Sequence, residues 1–566
     1  MTVERANEVG IPRPESEVEE AVHHLGGARR YEVLAAVMTV MFFSSMASTV
    51  VSTALPNIIA DLNGLSLYAW VFTAFILASA IVIPIYGKLS DIFGRKPLYI
   101  AAIVLYVVGN VIAGFSQSML MLVLARAVSG LGGGGMQALS QITIGDIFTP
   151  KERGRWMGVM MSAFGLASII GPTLGGFITD HFTWRWVFWI NVPFAVVPLF
   201  MLMYALPTIR NPRKVNIDYL GILALIVGLV PILFAITWIG DGDTLSTPRV
   251  AGGIIFGLVV LGLFVWQEMR ADEPVIVPAF FKNRIFVVSM LASFCLALGM
   301  YGGIMFVPLF VQGVVGTSAQ DSGVVLAPMM LGFIAGSFFS GQAVSRWGRY
   351  RLLALAGLVI SCVGMFLFGR MTAETTNLTV VRNMVVLGIG IGGTMPLFTI
   401  AVQNAFPYRV LGQVTGTRQF FTSLGGAIGV PIMGALLNSH FQGAFVSHLS
   451  PTLRAMLRRQ GAASLDPTTL ISAEAQAAIH HKFAALGPQG QQLYAQFIHA
   501  VREGLAISLS DSFHVAFAFM VAALVITLFL REIPLRTHFH ETAMAVTDET
   551  ATLAGAAEPV RARDTA

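Results

Sequence analysis

The chain has 566 residues, of which 55% are apolar and only 11% are charged, and its mean hydropathy is +0.74. Soluble domains carry about 25% charged residues, so this composition excludes a soluble globular protein and indicates an integral membrane protein. The net charge of +5 gives no indication of a nucleic-acid partner. The two cysteines, Cys295 and Cys362, lie in separate apolar segments, which excludes a disulfide framework and leaves no metal motif.

Apolar segments recur along the chain at lengths that suit a bilayer, since a transmembrane helix needs about 20 apolar residues. This criterion predicts an all-α integral membrane protein with about fourteen transmembrane helices and both termini on the same side. The expected spans are 33–56, 67–87, 98–115, 119–140, 156–179, 186–206, 219–239, 250–267, 286–314, 322–344, 351–370, 379–404, 412–438 and 509–531.

Basic residues are concentrated in the loops on one side of these spans. The positive-inside rule assigns such loops to the cytoplasm. The opposite short loops carry little beyond Arg185, Arg249 and Arg370. Both termini are therefore expected in the cytoplasm, together with the loops that hold Arg29, Arg30, Lys88, Arg95, Lys96, Lys151, Arg153, Arg155, Arg210, Arg213, Lys214, Lys282, Arg284, Arg346, Arg349 and Arg351.

The first predicted span contains a polar stripe. The stretch MFFSSMASTVVSTALPNI (41–58) carries six hydroxyls and no charge. In a helix, hydroxyls at i, i+3, i+4 and i+7 fall on one face. This face is expected to line a partner helix or a substrate cavity, and its members are Ser45, Ser48, Thr49 and Ser52.

Three glycine-containing motifs occur twice in the same order and at nearly the same distance. The matches are Gly87, Gly94 and Arg95 with Gly341, Gly348 and Arg349 (341 − 87 = 254), Arg126, Gly132 and Gly134 with Arg382, Gly388 and Gly390 (382 − 126 = 256), and Gly171 and Gly175 with Gly425 and Gly429 (425 − 171 = 254). The copies fall on the second, fourth and fifth spans and again on the tenth, twelfth and thirteenth.

Eight spans therefore separate the two copies. This spacing predicts two six-helix bundles related by a parallel repeat, at 31–206 and 271–534, with two inserted helices at 207–270. Residues 1–30 and 535–566 are expected to be polar cytoplasmic tails. Equal bundles of this kind are typical of transporters in which two halves rock around a site near the midplane of the bilayer.

The last bundle includes an expected extracytoplasmic loop, 440–507. Within it, LRAMLRRQ and QLYAQFIHAVREGL have the pattern of amphipathic helices. Such helices would lie on the membrane surface, cap the exit side of the protein, or contact an extracytoplasmic partner. A non-functional insertion is the remaining interpretation.

Three sequence motifs of the first bundle indicate a function. GKLSDIFGRK (87–96) lies in a predicted cytoplasmic loop, where glycines permit a tight turn. LVLARAVSGLGGGGMQ (122–137) places Arg126 inside a span, where a cation is costly. GLASIIGPTLGG (165–176) combines small residues with Pro172, which predicts a kinked, closely packed helix.

Together these stretches resemble motifs A, B and C of the major facilitator superfamily. Fourteen spans, ALPNI at the end of the first, and WRWVFWINVP (184–193) resemble its fourteen-helix drug:proton antiporter branch over residues 30–535. The resemblance implies a cytoplasmic gate at Asp91, Arg95 and Lys96, and proton coupling at Arg126. It also implies that Gly171 and Pro172 belong to an antiporter helix, and that the protein lies in a bacterial cell (inner) membrane.

The first span departs from this branch, which commonly has an acid where this sequence has Ala47. Arg126 is then a cation without an evident acidic partner. One interpretation is that hydroxyls, water or Asn110 solvate it. The other is that the pocket prefers anionic or neutral amphiphiles. Asp321 and Asp511, both near the ends of predicted helices, are the candidate substitute acids.

Further polar or adaptable side chains are expected at the depth of a substrate cavity, although interhelical packing is an alternative for each of them. Methionine suits promiscuous binding surfaces because its thioether chain is flexible. The candidates are Asn110, Gln137, Gln141, Met300, Tyr301, Gln312 and Asn383.

The sequence thus predicts a secondary efflux transporter for amphipathic drugs or related compounds, coupled to protons by the family resemblance and needing no cofactor or metal. Its expected partners are the small amphipathic substrate, protons and membrane lipids. The alternative is an exporter of an endogenous lipid, siderophore or anionic metabolite with altered or absent proton coupling. A membrane-embedded enzyme is disfavoured because no midspan nucleophile–base pair is evident, and no GxxxxGK[ST] loop indicates ATP-driven transport.

Overall fold

The computed structural model describes residues 27–62, 68–206, 218–240, 243–271, 274–315, 326–459, 479–481, 483–484 and 488–535. Within these ranges, fourteen helices are long and apolar enough to cross a membrane. They are α1 (Gly27–Leu62), α2 (Tyr68–Phe93), α3 (Arg95–Gly114), α4 (Met119–Ile147), α5 (Pro150–His181), α6 (Trp186–Ala205), α7 (Tyr219–Gly240), α8 (Pro248–Glu268), α9 (Arg284–Phe310), α10 (Ala327–Trp347), α11 (Tyr350–Gly369), α12 (Asn377–Ala405), α13 (Leu411–His448) and α14 (Pro488–Leu528).

Short helical segments complete these elements. The helix α6 consists of a turn, Trp186–Trp189, followed by Asn191–Ala205. A π-helical turn, Val311–Val315, continues α9, and single 3-10 segments, Pro278–Lys282 and Tyr408–Val410, precede α9 and α13. The remaining segments form the helix Pro451–Arg459 and short connections.

Local sequence explains where several helices begin. Thr149 and Glu152 form a capping box at the start of α5, in which each side chain binds the other residue's backbone N–H. Ser118 accepts a hydrogen bond at the start of α4, and Asn283 accepts two at the start of α9. Because these caps satisfy first-turn N–H groups that have no helical partner, they fix the helix starts.

Helix pairing repeats with a shift of eight helices, as the sequence predicted. In the N half (α1–α6), α4 packs against α2 and α3, α1 packs against α5 and α6, and α3 packs against α6. In the C half (α9–α14), the same pairs occur between the helices eight places later. The prediction of two six-helix bundles is therefore confirmed. The inserted helices α7 and α8 pack against each other, and α7 also contacts α13 and α2.

The largest contacts between the two halves are those of α2 with α13 and of α5 with α10. They are equivalent under the repeat, because α10 corresponds to α2 and α13 corresponds to α5. The turn between α2 and α3 and the turn between α10 and α11 each contain a glycine with positive φ, Gly94 (85°) and Gly348 (69°). We call the end of the bundle with these turns, the 148–149 connection and the start of α13 the basic end.

The structure corrects the register of the repeat in the fourth and twelfth helices. Glycines that contact equivalent neighbours are 258 positions apart, because Gly132 packs against α3 and Gly390 against α11 (390 − 132 = 258). Arg126 therefore corresponds to Met384 and not to Arg382. The predicted offset of 256 was wrong by two residues, which places Arg382 on another face of its helix, where it is exposed while Arg126 is fully buried.

The predicted extracytoplasmic loop 440–507 is also corrected. The helix α13 continues to His448 and α14 already begins at Pro488. Phe445 stacks on Phe441 with centroids 5.6 Å apart and contacts Phe497 at 5.7 Å, so apolar packing outside the predicted spans holds the two helices together. LRAMLRRQ begins within a short helix, QLYAQFIHAVREGL belongs to α14, and residues 460–478 lie outside the described part.

Candidate functional site

A carboxylate joins the two halves at the basic end. The Asp91 carboxylate, near the end of α2, accepts hydrogen bonds from the backbone N–H groups of Gly412 (3.2 Å) and Gln413 (2.9 Å). These donors lie in the first turn of α13, where N–H groups have no intrahelical partner. The helix dipole also favours a negative charge at this position. Asp91 therefore fastens α2 of the N half to α13 of the C half.

Arg95 connects Asp91 to a second carboxylate. Its Nη1 lies 2.7 Å from Asp91 Oδ1, and its Nε lies 2.7 Å from Asp146 Oδ2 at the end of α4. The exposed fraction of the Arg95 side chain is only 13% and that of each carboxylate is 6%, so water screens these pairs weakly. Arg95 also donates to Ser90 Oγ. We call Asp91, Arg95, Asp146 and the first turn of α13 the latch.

A tyrosine in the 3-10 segment before α13 lies near the latch without adding charge to it. Burial and the negative charge of Asp146 raise the pKa of Tyr408 well above its usual value, so the phenol stays neutral. The latch side chains then comprise two carboxylates and one guanidinium. Of the two carboxylates, Asp91 is the one that accepts hydrogen bonds from the first turn of α13.

Sequence reasoning placed Asp91 and Arg95 in the gate but missed Asp146. The predicted fourth span ended at 140, whereas α4 continues to Ile147, so the carboxylate is held by the helix and is only 4% exposed. The sequence did contain a signal for Asp146. This acid follows directly after an apolar segment, at the membrane boundary on the same side as the GKLSDIFGRK motif.

The predicted gate residue Lys96 lies elsewhere. Its Nζ donates to the carbonyl oxygens of Met203 (2.5 Å) and Leu206 (3.1 Å), at the end of α6. A cation at a helix C-terminus satisfies carbonyls that lack helical partners. Lys96 therefore holds two helices of the N half together and does not contact the latch.

The repeat supplies a neutral counterpart of the latch. Ser345, 254 positions after Asp91 (345 − 91 = 254), lies at the end of α10. Its Oγ donates to Lys151 O (2.6 Å) and accepts from the backbone N–H of Arg155 (3.1 Å), both near the start of α5. Of the two repeat-related contacts, α2 with α13 and α5 with α10, the first thus includes ionised groups and the second a hydroxyl.

Close backbone contact accompanies the latch. A Cβ at Gly87 would lie 2.6 Å from Gly412 O, and the next nearest atoms also belong to backbone. The equivalent Gly341 meets the backbone of Gly154 on the other side of the bundle. Only glycine lets the helices approach this closely, so both halves can close at the basic end.

The substitution Gly87→Ala should separate α2 from α13 and lower the transport rate at least fivefold, because backbone atoms cannot rotate away from the added methyl. Gly434→Ala, on α13, is the matched control, since the nearest atom to its Cβ is 3.8 Å away. Rates measured with equal amounts of each reconstituted variant test this expectation. A Gly434→Ala protein that is impaired as strongly would contradict it.

Arg126 is buried within the N half. Its Nε donates to Val71 O (3.2 Å), and its guanidinium lies 4.3 Å from the centroid of the Phe75 ring. Neither Nη atom has a hydrogen-bond partner among the described residues, and no ion pair found there includes Arg126. Asn110 instead donates to Tyr106 O (2.8 Å), so the interpretation that Asn110 solvates Arg126 was wrong.

Two hydroxyls of the polar stripe donate to carbonyl oxygens of their own helix. Ser45 donates to Met41 O (2.7 Å) and Thr49 to Met46 O (3.0 Å). Gly171 of α5 packs directly against Thr49, with the half-buried Pro172 beside it. The part of the stripe at Thr49 thus faces a partner helix. The side chains of Ser48 and Ser52 lie outside the described part of the chain.

The remaining cavity candidates differ in burial and in the neighbours they contact. Met300 is buried, Tyr301 is packed against Gly426 and 38% exposed, and Gln137 is half-buried. Asn383 donates to Leu367 O (3.2 Å) and accepts from its neighbour Arg382. The Gln312 side chain and Asp321 lie outside the described residues, and Asp511 pairs with His440 at 2.9 Å.

Gln141 belongs to a polar layer between the halves that the sequence did not reveal. Arg418, two turns into α13, donates to Gln141 Oε1 (3.1 Å), and Gln141 Nε2 donates to Gln419 Oε1 (3.2 Å). Gln403 of α12 donates to Gln141 O (3.3 Å), and Arg153 donates to Gln403 O (3.4 Å). Among the described residues, no three metal-ligating side chains converge.

The family follows from a direct comparison. The family model of the Major Facilitator Superfamily matches residues 37–430 and again 290–554. The chain belongs to this superfamily. Its fold is similar to that of the proton:xylose symporter XylE, with a TM-score of 0.58 at 13% identity over 90% of this chain and 98% of that one.

Curated relatives of the superfamily include multidrug transporters. The multidrug transporter protein MdtP of Bacillus subtilis is 34% identical over 515 residues, which cover 90% of this chain and 94% of MdtP. Multidrug resistance protein 3 of the same organism is 34% identical over 418 residues, or 73% of this chain and 80% of that protein. The protein is therefore a multi-pass membrane transporter of this superfamily.

Proposed function

We propose that this transporter exports amphipathic compounds in exchange for protons by alternating access, with the basic end facing the cytoplasm. The latch carries this proposal. It closes the basic end through a charge–dipole contact between the halves, and it contains carboxylates that can take up a proton. The 34% identity to two multidrug transporters supports the substrate class.

The orientation rests on the distribution of charge. The basic end joins the loops that carry Arg95, Arg153 and Arg349, and the positive-inside rule assigns such loops to the cytoplasm. Both termini then lie in the cytoplasm. In a bacterium this corresponds to the cell (inner) membrane.

The first helix has no acid at the position of the fully buried Ala47, so proton coupling would need a carboxylate elsewhere. Among the described residues, the buried carboxylates lie near the basic end of the bundle, and two of them, Asp91 and Asp146, belong to the latch. Protonation of Asp91 would remove the charge that the N-terminus of α13 stabilises. It would thereby weaken the contact that must break before substrate enters from the cytoplasm.

Transport by purified protein in liposomes tests this function. With a pH gradient imposed, a lipophilic cationic dye and an anionic amphiphile are followed separately, with protein-free liposomes as the control. We expect uptake of at least one amphiphile to rise about tenfold or more when the gradient is applied. Uptake that ignores the gradient would contradict antiport but not export.

A second candidate, export of an endogenous lipid, siderophore or anionic metabolite, is favoured by Arg126. A fully buried guanidinium with two unpartnered Nη atoms and no described acid nearby suits an anion better than a cation. If this second candidate is correct, the same assay should show uptake of the anion alone, and the substitution Arg126→Gln should abolish that uptake. Uptake of the cation alone would contradict it.

A further inference from the structure

Arg418, like Arg126, is a deeply buried cation of the transmembrane region. Its side chain is on α13, about two turns from the basic end, and the residue is 3% exposed. Arg126 lies on α4, about 22 Å along the helix from Gln141, the residue of α4 that contacts Arg418. The two arginines therefore belong to different places in the bundle.

Every hydrogen-bond acceptor around Arg418 in the described residues is neutral. Its Nη2 donates to Gln141 Oε1 (3.1 Å) and Gln419 Oε1 (2.8 Å). Its Nη1 donates to Ser293 Oγ (3.4 Å) and Thr422 Oγ1 (3.3 Å). The Nε has no partner there, and no ion pair of the described residues includes this guanidinium. A buried positive charge thus lacks a counter-ion and one acceptor.

One of these acceptors comes from the opposite half. Gln141 is on α4 of the N half, while Arg418, Gln419, Ser293 and Thr422 are all in the C half. When the halves part at the basic end, the Gln141 amide moves away with α4. The guanidinium then loses an acceptor just as the space between the halves becomes accessible from that end.

We infer that Arg418 binds an anionic headgroup of the transported amphiphile, a carboxylate, sulfonate or phosphate ester, in the state open at the basic end, and that the Gln141 amide occupies this place when that end is closed. An anion supplies the missing charge and an additional acceptor. A guanidinium donates to carboxylate and phosphate oxygens in a bidentate geometry that adds the attraction of opposite charges to the hydrogen bonds. This inference rests on the proposed export function and adds the charge of the substrate.

The location distinguishes Arg418 from Arg126. Arg126 contacts Val71 and Phe75 of its own half, so rocking of the halves leaves these contacts intact. Arg418 lies where the halves meet and changes its partners with the conformation. A substrate site of an alternating-access transporter is expected at such an interface.

The test uses three dansyl-labelled dodecyl probes that differ only in the headgroup, which is sulfonate, hydroxyl or trimethylammonium. Equilibrium binding is measured with full-length protein in nanodiscs, and uptake is measured in liposomes with a pH gradient. We expect Arg418→Gln to weaken sulfonate binding at least tenfold and to change binding of the other two probes less than twofold. Arg418→Lys keeps the charge but not the planar set of N–H donors, so it should weaken sulfonate binding about threefold.

Gln141→Ala provides a readout that a purely structural role of Arg418 would not give. Because it removes the competing amide, sulfonate binding should become about threefold tighter. Arg382→Gln, which removes an exposed arginine of α12, is the matched control and should bind all three probes as the unaltered protein does.

Equal losses for all three probes in Arg418→Gln, or unchanged sulfonate binding, would overturn the inference. Weaker sulfonate binding in Gln141→Ala would overturn it as well. The binding measurement tests the Arg418 site independently of the proposed antiport. Sulfonate binding that depends on Arg418 supports the site even if a pH gradient drives no uptake, whereas gradient-driven uptake that ignores Arg418 supports antiport and rejects the site.

Discussion

Replacing Arg95 by glutamine is expected to destabilise the protein by about 3–5 kcal/mol, the cost of removing one partner from a buried ion pair. Two carboxylates, Asp91 and Asp146, would then remain at the basic end without the guanidinium that lies 2.7 Å from both. Their mutual repulsion adds to the cost of burial. The expected result is a clearly lower midpoint of thermal unfolding in detergent and a lower yield of monodisperse protein.

A thiol-reactive dye can follow this unfolding, since Cys362 is buried and Cys295 half-buried in the folded protein. The matched control is Arg349→Gln, at the equivalent position of the C half, because Arg349 is exposed. Adding Asp146→Asn to Arg95→Gln should restore part of the lost stability, since it removes one uncompensated charge. A control variant that unfolds as early as Arg95→Gln would show that the latch pairs are not the cause.

The second large effect concerns Asp91, whose substitution by asparagine should reduce gradient-driven transport at least tenfold. Hydrogen bonds to a charged group contribute about 1.5–3 kcal/mol each. An asparagine keeps one carbonyl acceptor for Gly412 or Gln413 but loses the charge that pairs with Arg95 and with the α13 dipole. The basic end should therefore open more often and lose its response to protons.

Opening can be measured directly at Thr417, which is fully buried below the latch in α13. In protein with both native cysteines replaced by serine, a cysteine substituted for Thr417 should react faster with an impermeant maleimide at the basic end once Asp91→Asn is added. Ser345→Ala, at the neutral counterpart of the latch, is expected to change transport less than threefold. Unchanged labelling and transport in Asp91→Asn would remove the latch from the gating mechanism.

Some side chains of the site could be placed from the sequence and others could not. The GKLSDIFGRK stretch placed Asp91 and Arg95 at a cytoplasmic gate through its resemblance to motif A of the superfamily. Asp146 and Arg418 were missed for two different reasons. The fourth span was drawn too short to include Asp146, and Arg418 follows a predicted loop so closely that it resembled an ordinary residue at a helix end.

The sequence by itself determined the class of fold, since span length and apolar composition are local properties that the bilayer selects. It also determined the duplication, because glycines at helix contacts recur in order. Only the tertiary structure decided which polar groups meet. Asp91 binds an N–H group 321 positions away, and Arg418 a glutamine 277 positions away. A polar residue in an apolar segment looks the same in sequence whether it faces a packed helix or the other half, because helix rotation and register are set by contacts between distant segments.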